Sequence, residues 1–89
     1  MKHYTIKVFG RVQGVNFRAS AREKAEDLGL AGIVRNMQDG TVYMEVEGSE
    51  GLLETLVAWC RKGPLLAKVD KVEVKEKDLK HYERFKIER

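Results

Sequence analysis

The segment best suited to chemistry is 10–18, which reads GRVQGVNFR and joins a predicted strand to a predicted helix. The N–H groups at a helix start lack intrahelical partners, and the helix dipole favours negative charge there. Arg18 adds a forked pair of donors that suits a phosphate group. Gly10 and Gly14 permit unusual backbone conformations, and Asn16 is of a residue type that tolerates positive φ. Phosphate is therefore the first ligand to test at this segment.

Segment 10–18 matches neither of the common nucleotide-binding loops. The chain contains no G-x-x-x-x-G-K-[ST] and no G-x-G-x-x-G pattern, so nucleotide binding is not predicted. An ordinary strand-to-helix connection is the alternative, in which the glycines serve turns and Arg18 pairs with Glu45 or another surface acid. The segment taken alone leaves both interpretations open.

A second motif lies at 34–42, where VRNMQDGTV ends a predicted strand in Asp39-Gly40, a strong hairpin signal. Together the two motifs resemble the acylphosphatase family, whose pattern is close to G-R-V-Q-G-V-x-F-R followed, after a helix and a strand, by an R-N-x-x-D-G-like turn. The resemblance extends along the chain, since LGLAGIVRN precedes the turn and Gly63-Pro64 precedes a valine-rich strand. Two loops in the same order and at the right separation make the resemblance specific.

The resemblance implies an acylphosphatase, an enzyme that hydrolyses the carboxyl-phosphate bond of acyl phosphates to a carboxylate and inorganic phosphate. It implies that Arg18 holds the phosphate and that Asn36 positions the attacking water. The expected phosphate-binding residues are Arg11, Val12, Gln13, Gly14, Val15, Asn16, Phe17 and Arg18. We expect neither a cofactor nor a metal, and we expect inorganic phosphate or sulfate to inhibit.

Two of these positions carry a further question. Asn36 has a structural alternative, in which it only caps the Asp39-Gly40 turn, as asparagine often does. Asn16 stands where family members often carry glycine or an aromatic residue, and we expect its side chain either to narrow the phosphate site or to add a donor to it. We expect the asparagine at position 16 to affect the rate of hydrolysis rather than the type of reaction.

Length and composition predict one small domain over residues 1–89, because a chain of 89 residues can build only one core. No run approaches the ~18 apolar residues of a membrane-crossing helix, and the N-terminus lacks the apolar stretch of a signal peptide, so we expect a cytoplasmic protein without membrane contacts. The net charge is +3 with acids and bases interspersed, which does not predict nucleic-acid binding. We expect a monomer.

The cysteine and the two histidines do not predict a disulfide, a metal site or a further catalytic site. Cys60 is the single cysteine, which excludes an internal disulfide and a thiolate-rich metal site, and its place in an apolar helical stripe predicts a core position. His3 and His81 lie at opposite ends of the chain without ligand spacing. We predict that both are surface residues rather than catalysts.

Hydrophobic periodicity predicts strands at 4–9, 31–36, 41–47, 69–76 and 84–88 and helices at 17–28 and 50–62. Each helix carries one apolar stripe, and both stripes would cover the same sheet face. The fold class is therefore α+β, a two-layer ferredoxin-like sandwich (β-α-β-β-α-β) with an antiparallel sheet, two helices on one face and a short extra C-terminal edge strand. Strands one and two then run parallel and flank strand three, so Arg18 and Asn36 meet at one rim.

Two binding modules are the rival interpretations. An RNA-recognition domain of this fold would stack bases on the open sheet face, but here that face is expected to show Phe9 and Tyr43 beside Glu45 and Glu47, and the RNP1 pattern is missing. Two carboxylates there would repel a phosphate backbone. The other rival is a phosphate-binding module without catalysis, such as a regulatory or carbamoyl-phosphate-handling domain that is normally fused to a larger enzyme.

Overall fold

Five strands and two helices make up residues 1–88, the part of the chain that this computed structural model describes. The elements follow in the order β1 (Lys2–Arg11), α1 (Phe17–Asp27), β2 (Ala31–Asn36), β3 (Val42–Gly48), α2 (Glu50–Lys62), β4 (Lys68–Lys77) and β5 (Phe85–Ile87). Every predicted element is present, with ends that differ by at most two residues from the prediction. Neither helix within this range is long and apolar enough to cross a membrane.

The strands form one sheet in the order β4-β1-β3-β2-β5, so β1 and β2 flank β3 as predicted. The pairs β1 with β3, β1 with β4 and β2 with β3 are antiparallel. The predicted extra C-terminal edge strand is β5, which pairs with β2 in parallel and so makes the sheet mixed. Because the chain leaves β4 at the end of the sheet where β2 begins, β5 must start there and run in the same direction as β2.

Both helices cover one face of the sheet, as predicted. Val42, Met44 and Val46 alternate along β3 with polar residues and are fully buried. Helix α2 packs over β1 and β4, and α1 packs over β2 and β5. Cys60 lies in this core, as predicted, and burial raises the pKa of its thiol to about 12.

The other face of the sheet is partly covered by the segment 78–84, which connects β4 to β5. The surface prediction for His3 is wrong, because only 1% of His3 is exposed and Tyr82 stacks on it, with ring centroids 6.0 Å apart. His81 is exposed as predicted. Glu45 and Glu47, expected on an open face, are buried beside this segment. Sequence periodicity could not predict this burial, because segment 78–84 crosses three strands that are distant from it in sequence.

Glu47 fastens this segment to the sheet. Its carboxylate accepts hydrogen bonds from the backbone N–H groups of Lys80, His81 and Tyr82 and from Nδ1 of His3, which lies 2.8 Å from Oε2. Burial alone would raise the pKa of Glu47, but these donors outweigh it and lower the pKa from 4.5 to about 2. Glu47 therefore stabilises the folded chain only while it is ionised.

We expect Glu47→Gln to destabilise the protein by about 3 kcal/mol near pH 7, the free energy that corresponds to this lowering of the pKa. A lowered carboxyl pKa stabilises the fold above the ordinary pKa, and this contribution is lost as the pH falls towards about 2. Urea unfolding at several pH values should therefore show the variant and the parent converging in acid. Exposed Glu83 is the matched control. A Glu47→Gln change as mild as Glu83→Gln at pH 7 would contradict this assignment.

Candidate active site

A cleft of about 330 Å³ opens at the rim where β1 and β2 end. It is formed by the loop after β1, the first turn of α1, the end of β2 and strand β5. The residues that line it are Val12, Gly14, Asn16, Phe17, Arg18, Ala19, Asn36 and Ile87. The two residues expected to carry the chemistry, Arg18 and Asn36, thus lie in one cleft, although 18 positions separate them in the sequence.

The loop after β1 turns through two residues in left-handed conformations. Gly14 has φ 74°, and Asn16 has φ 66° and ψ 25°, which agrees with the expectation that Asn16 tolerates positive φ. Asn16 precedes α1 directly, and its carbonyl accepts the N–H of Ser20 at 3.1 Å, while its side chain makes no capping bond. The earlier N–H groups of the first turn precede this first helical bond and are therefore available to an external acceptor.

The electrostatics of this helix start favour an anion. The first turn of α1 contains no acidic residue, so no side chain of that turn neutralises the positive end of the helix dipole. Phe17 anchors the turn in the core, where it is 2% exposed and meets Trp59 edge-on at a centroid distance of 5.4 Å. The packed pair of Phe17 and Trp59 therefore anchors the backbone at the start of α1.

Arg18 is partly buried in the first turn of α1 and reaches the end of β5. One of its terminal nitrogens donates to the carbonyl of Glu88 at 3.4 Å. The alternative pairing with Glu45 is wrong, because Glu45 lies on the opposite face and contacts Tyr43, Tyr82 and Lys80. A guanidinium carries five N–H donors, so most of them remain for a ligand in the cleft.

Asn36 is the last residue of β2 and faces the cleft. Its Oδ1 is buried and accepts no hydrogen bond from residues 1–88. Asn36 does not cap the turn, because Asp39 does so. Oδ1 of Asp39 accepts hydrogen bonds from the N–H and the hydroxyl of Thr41, at 3.0 and 2.6 Å. These bonds, together with Lys7, lower the pKa of Asp39 to about 2. The side chain of Asn36 is therefore not needed to form the turn.

Three of the eight residues expected to bind phosphate do not line the cleft, namely Arg11, Gln13 and Val15. Arg11 is exposed at the end of β1, and Val15 packs against the core. Gln13 instead directs its amide at the turn after β2, where Nε2 donates to the carbonyls of Met37 and Thr41 at 2.8 and 2.9 Å. Backbone groups of these residues remain candidates for phosphate contacts.

Sequence reasoning missed Ala19 and Ile87 as parts of the cleft. Ala19 follows Arg18 in the helix and could have been inferred from its position. Ile87 comes from β5, whose place beside β2 depends on contacts far apart in sequence, and nothing in the motifs marks it. Within the described residues, no group of three or more His, Cys, Asp or Glu side chains could hold a metal ion.

Comparison with known proteins identifies the family. A model of the Acylphosphatase family matches residues 4–87. The acylphosphatase of Methylococcus capsulatus is 51% identical over 85% of this chain and 83% of its own length. The crystal structure of acylphosphatase from Bacillus subtilis has a TM-score of 0.97 and 39% identity, with 100% of both chains covered.

The same fold also forms part of a larger protein. The crystal structure of Thermococcus kodakarensis HypF matches all of this chain with a TM-score of 0.84 and 39% identity, but this chain spans only 12% of it. Taken together, the matches do not favour a binding module without catalysis. The family model covers nearly the whole chain, and the Methylococcus and Bacillus acylphosphatases correspond to it over most or all of their lengths. The chain belongs to the acylphosphatase family.

Proposed function

We propose that this enzyme, which hydrolyses acyl phosphates as a member of the acylphosphatase family, holds the phosphoryl group in the loop 11–18 and on Arg18 while Asn36 positions the attacking water. The observation that carries the proposal is the common cleft of Arg18 and Asn36 at the start of α1. One residue supplies a fork of donors and the other an unused acceptor. Both are needed if an anion and a water are to be held side by side.

The phosphate contacts in this proposal come from three sources. Backbone N–H groups of the loop and of the first helical turn donate to phosphate oxygens, the dipole of α1 favours the negative charge, and Arg18 provides charge-assisted bonds. One terminal nitrogen of Arg18 donates to the carbonyl of Glu88 at 3.4 Å, and its other donors remain for the phosphoryl group. Donors placed at the cleft in this way stabilise the charge that develops on the phosphoryl oxygens during transfer.

The water contact in this proposal comes from Oδ1 of Asn36. This oxygen is buried without a donor among residues 1–88, and a water O–H would satisfy it. A water held in this way keeps a lone pair free for attack on phosphorus. Asn36 is the last residue of β2, which pairs with β3 along its whole length, so the sheet fixes the backbone of Asn36 at the rim.

No protein base is needed in this mechanism. Among the described residues, those lining the cleft include no histidine and no acid. An acyl phosphate is a mixed anhydride with a good carboxylate leaving group, so positioning and charge stabilisation can supply most of the acceleration. The proton of the water then passes to an oxygen of the substrate's own phosphate.

The same contacts lead us to propose inorganic phosphate and sulfate as competitive inhibitors, because they resemble the reacting end of the substrate but lack a leaving group. We also propose that the chain acts as a monomer in the cytoplasm without nucleic-acid or membrane partners. The proposals on oligomeric state, location and partners rest on the composition and charge pattern of the sequence.

The first test is an assay on two substrates with and without EDTA. We expect rapid hydrolysis of benzoyl phosphate that EDTA does not change, and little hydrolysis of p-nitrophenyl phosphate. The cleft provides no acid that could assist the poorer leaving group of the monoester. Complete loss of activity in EDTA with recovery in Mg²⁺ or Zn²⁺ would refute the mechanism, and so would comparable rates on both substrates.

A further inference from the structure

Gln13 connects the two halves of the candidate site. It lies in the loop after β1, and both of its amide hydrogens point at the hairpin turn between β2 and β3. Nε2 donates to the carbonyl of Met37 at 2.8 Å and to the carbonyl of Thr41 at 2.9 Å. Met37 follows Asn36 directly, so the amide of Gln13 binds the turn beside Asn36, the residue proposed to hold the water.

The two carbonyls that Gln13 contacts also close the turn. The N–H of Met37 donates to the carbonyl of Thr41 at 2.9 Å, and the N–H of Gly40 donates to the carbonyl of Met37 at 3.2 Å. Each carbonyl therefore accepts one bond from the turn and one from Gln13, which uses both of its lone pairs. Among residues 1–88, no other hydrogen bond joins the loop 11–18 to this turn.

We propose that Gln13 is a positioning residue that sets the distance between the phosphate loop and Asn36, and therefore between the bound phosphoryl group and the water. The inference rests on the proposed function of Asn36. Gln13 does not act as a phosphate donor, because an amide has two N–H groups and both are committed to the turn. Its remaining polar atom is a carbonyl oxygen, which repels phosphate oxygens.

The test begins with Gln13→Met, which keeps the length of the side chain and removes both donors. Displacing a reacting group by about 1 Å can cost up to about 100-fold, so we expect kcat for benzoyl phosphate to fall by about 10-fold. The inhibition constant of inorganic phosphate should change by less than about 2-fold, because the phosphate contacts remain. A rise in this inhibition constant with unchanged kcat would overturn the proposal, since it would identify Gln13 as a phosphate ligand.

Gln38→Met is the matched control, since Gln38 belongs to the same turn, is exposed and does not line the cleft. Its kcat and inhibition constant should stay at parental values. Equal losses of kcat in both variants would overturn the proposal, because they would reflect general damage to the turn. Urea unfolding of both variants establishes that they are folded, and Gln13→Ala serves the same comparison if Gln13→Met does not fold.

A double-mutant cycle with Asn36→Ala tests whether Gln13 acts through Asn36. We expect Gln13→Met to lower kcat in the parent and to have no further effect in Asn36→Ala, because the residue that it positions is gone. Equal fold-losses in both backgrounds would overturn the inference while leaving the role of Asn36 intact. A parental kcat in Asn36→Ala itself would instead refute the proposed function and the inference together.

Discussion

Replacing Arg18 by alanine is expected to lower kcat/KM for benzoyl phosphate by at least about 100-fold, the scale for removing one preorganised donor from a site of developing charge. Arg18 lines the cleft, and one of its terminal nitrogens donates to the carbonyl of Glu88 at 3.4 Å. The loss should appear in kcat and in phosphate affinity, because the proposed mechanism has Arg18 contact the phosphoryl group in both the ground state and the transition state. Steady-state kinetics with phosphate as inhibitor measure both effects.

Arg22→Ala is the matched control for this change. Arg22 lies one helical turn beyond Arg18 and is exposed, so it shares the net charge but not the cleft. Arg18→Lys retains the charge without the planar fork, and we expect it to recover only part of the activity. If Arg22→Ala lost as much activity as Arg18→Ala, general attraction of anions to α1 would explain the result and the assignment of Arg18 would be wrong.

Phosphate should also stabilise the folded protein through Arg18. A ligand that binds only the folded chain adds about 2.7 kcal/mol at a hundred times its dissociation constant. Because salts such as phosphate also stabilise proteins by exclusion from their surface, the comparison is between the parent and Arg18→Ala at the same salt concentration. An equal rise in melting temperature for both proteins would show that phosphate acts through the solvent rather than through the loop.

The meeting of Arg18 and Asn36 could be predicted because it depends on local patterns and on one rule of topology. Periodicity and the glycines located the strands and helices to within two residues. The order of those elements then required β1 and β2 to flank β3, which brings the ends of both strands to one rim. Asn36 stands at the end of β2, and Arg18 stands in the first turn of the helix that follows β1, so the order of elements was enough to predict that they meet.

The parts that sequence reasoning missed all depend on contacts between distant segments. His3 resembled a surface residue because nothing near it in sequence indicates that segment 78–84 folds over it. Glu45 and Glu47 follow the alternation of a solvated strand face, yet both are buried by this same segment. Gln13 belongs to the phosphate motif, and only the structure reveals that its amide serves the neighbouring turn. Side-chain direction at such positions cannot be inferred from spacing.

Asn36→Ala is expected to lower kcat by about 100-fold while the inhibition constant of phosphate stays nearly unchanged. Loss of water orientation affects only the attacking step, and a misplaced nucleophile costs about this factor. In the proposed mechanism phosphate contacts the loop 11–18 and Arg18, so its affinity should not depend on Asn36. Steady-state kinetics in the presence and absence of phosphate separate the two effects. A large rise in the inhibition constant would mean that Asn36 is a phosphate ligand.

The stability of Asn36→Ala provides an independent check on this role. No group among residues 1–88 donates to Oδ1 of Asn36, so replacing this residue breaks no hydrogen bond within the described protein at that atom. Removing the amide should therefore change the free energy of unfolding little, while kcat falls. A residue kept for structure would behave in the opposite way, since its loss would lower stability. If urea unfolding gave a clear destabilisation with little loss of kcat, Asn36 would be a structural residue and the water would require another acceptor.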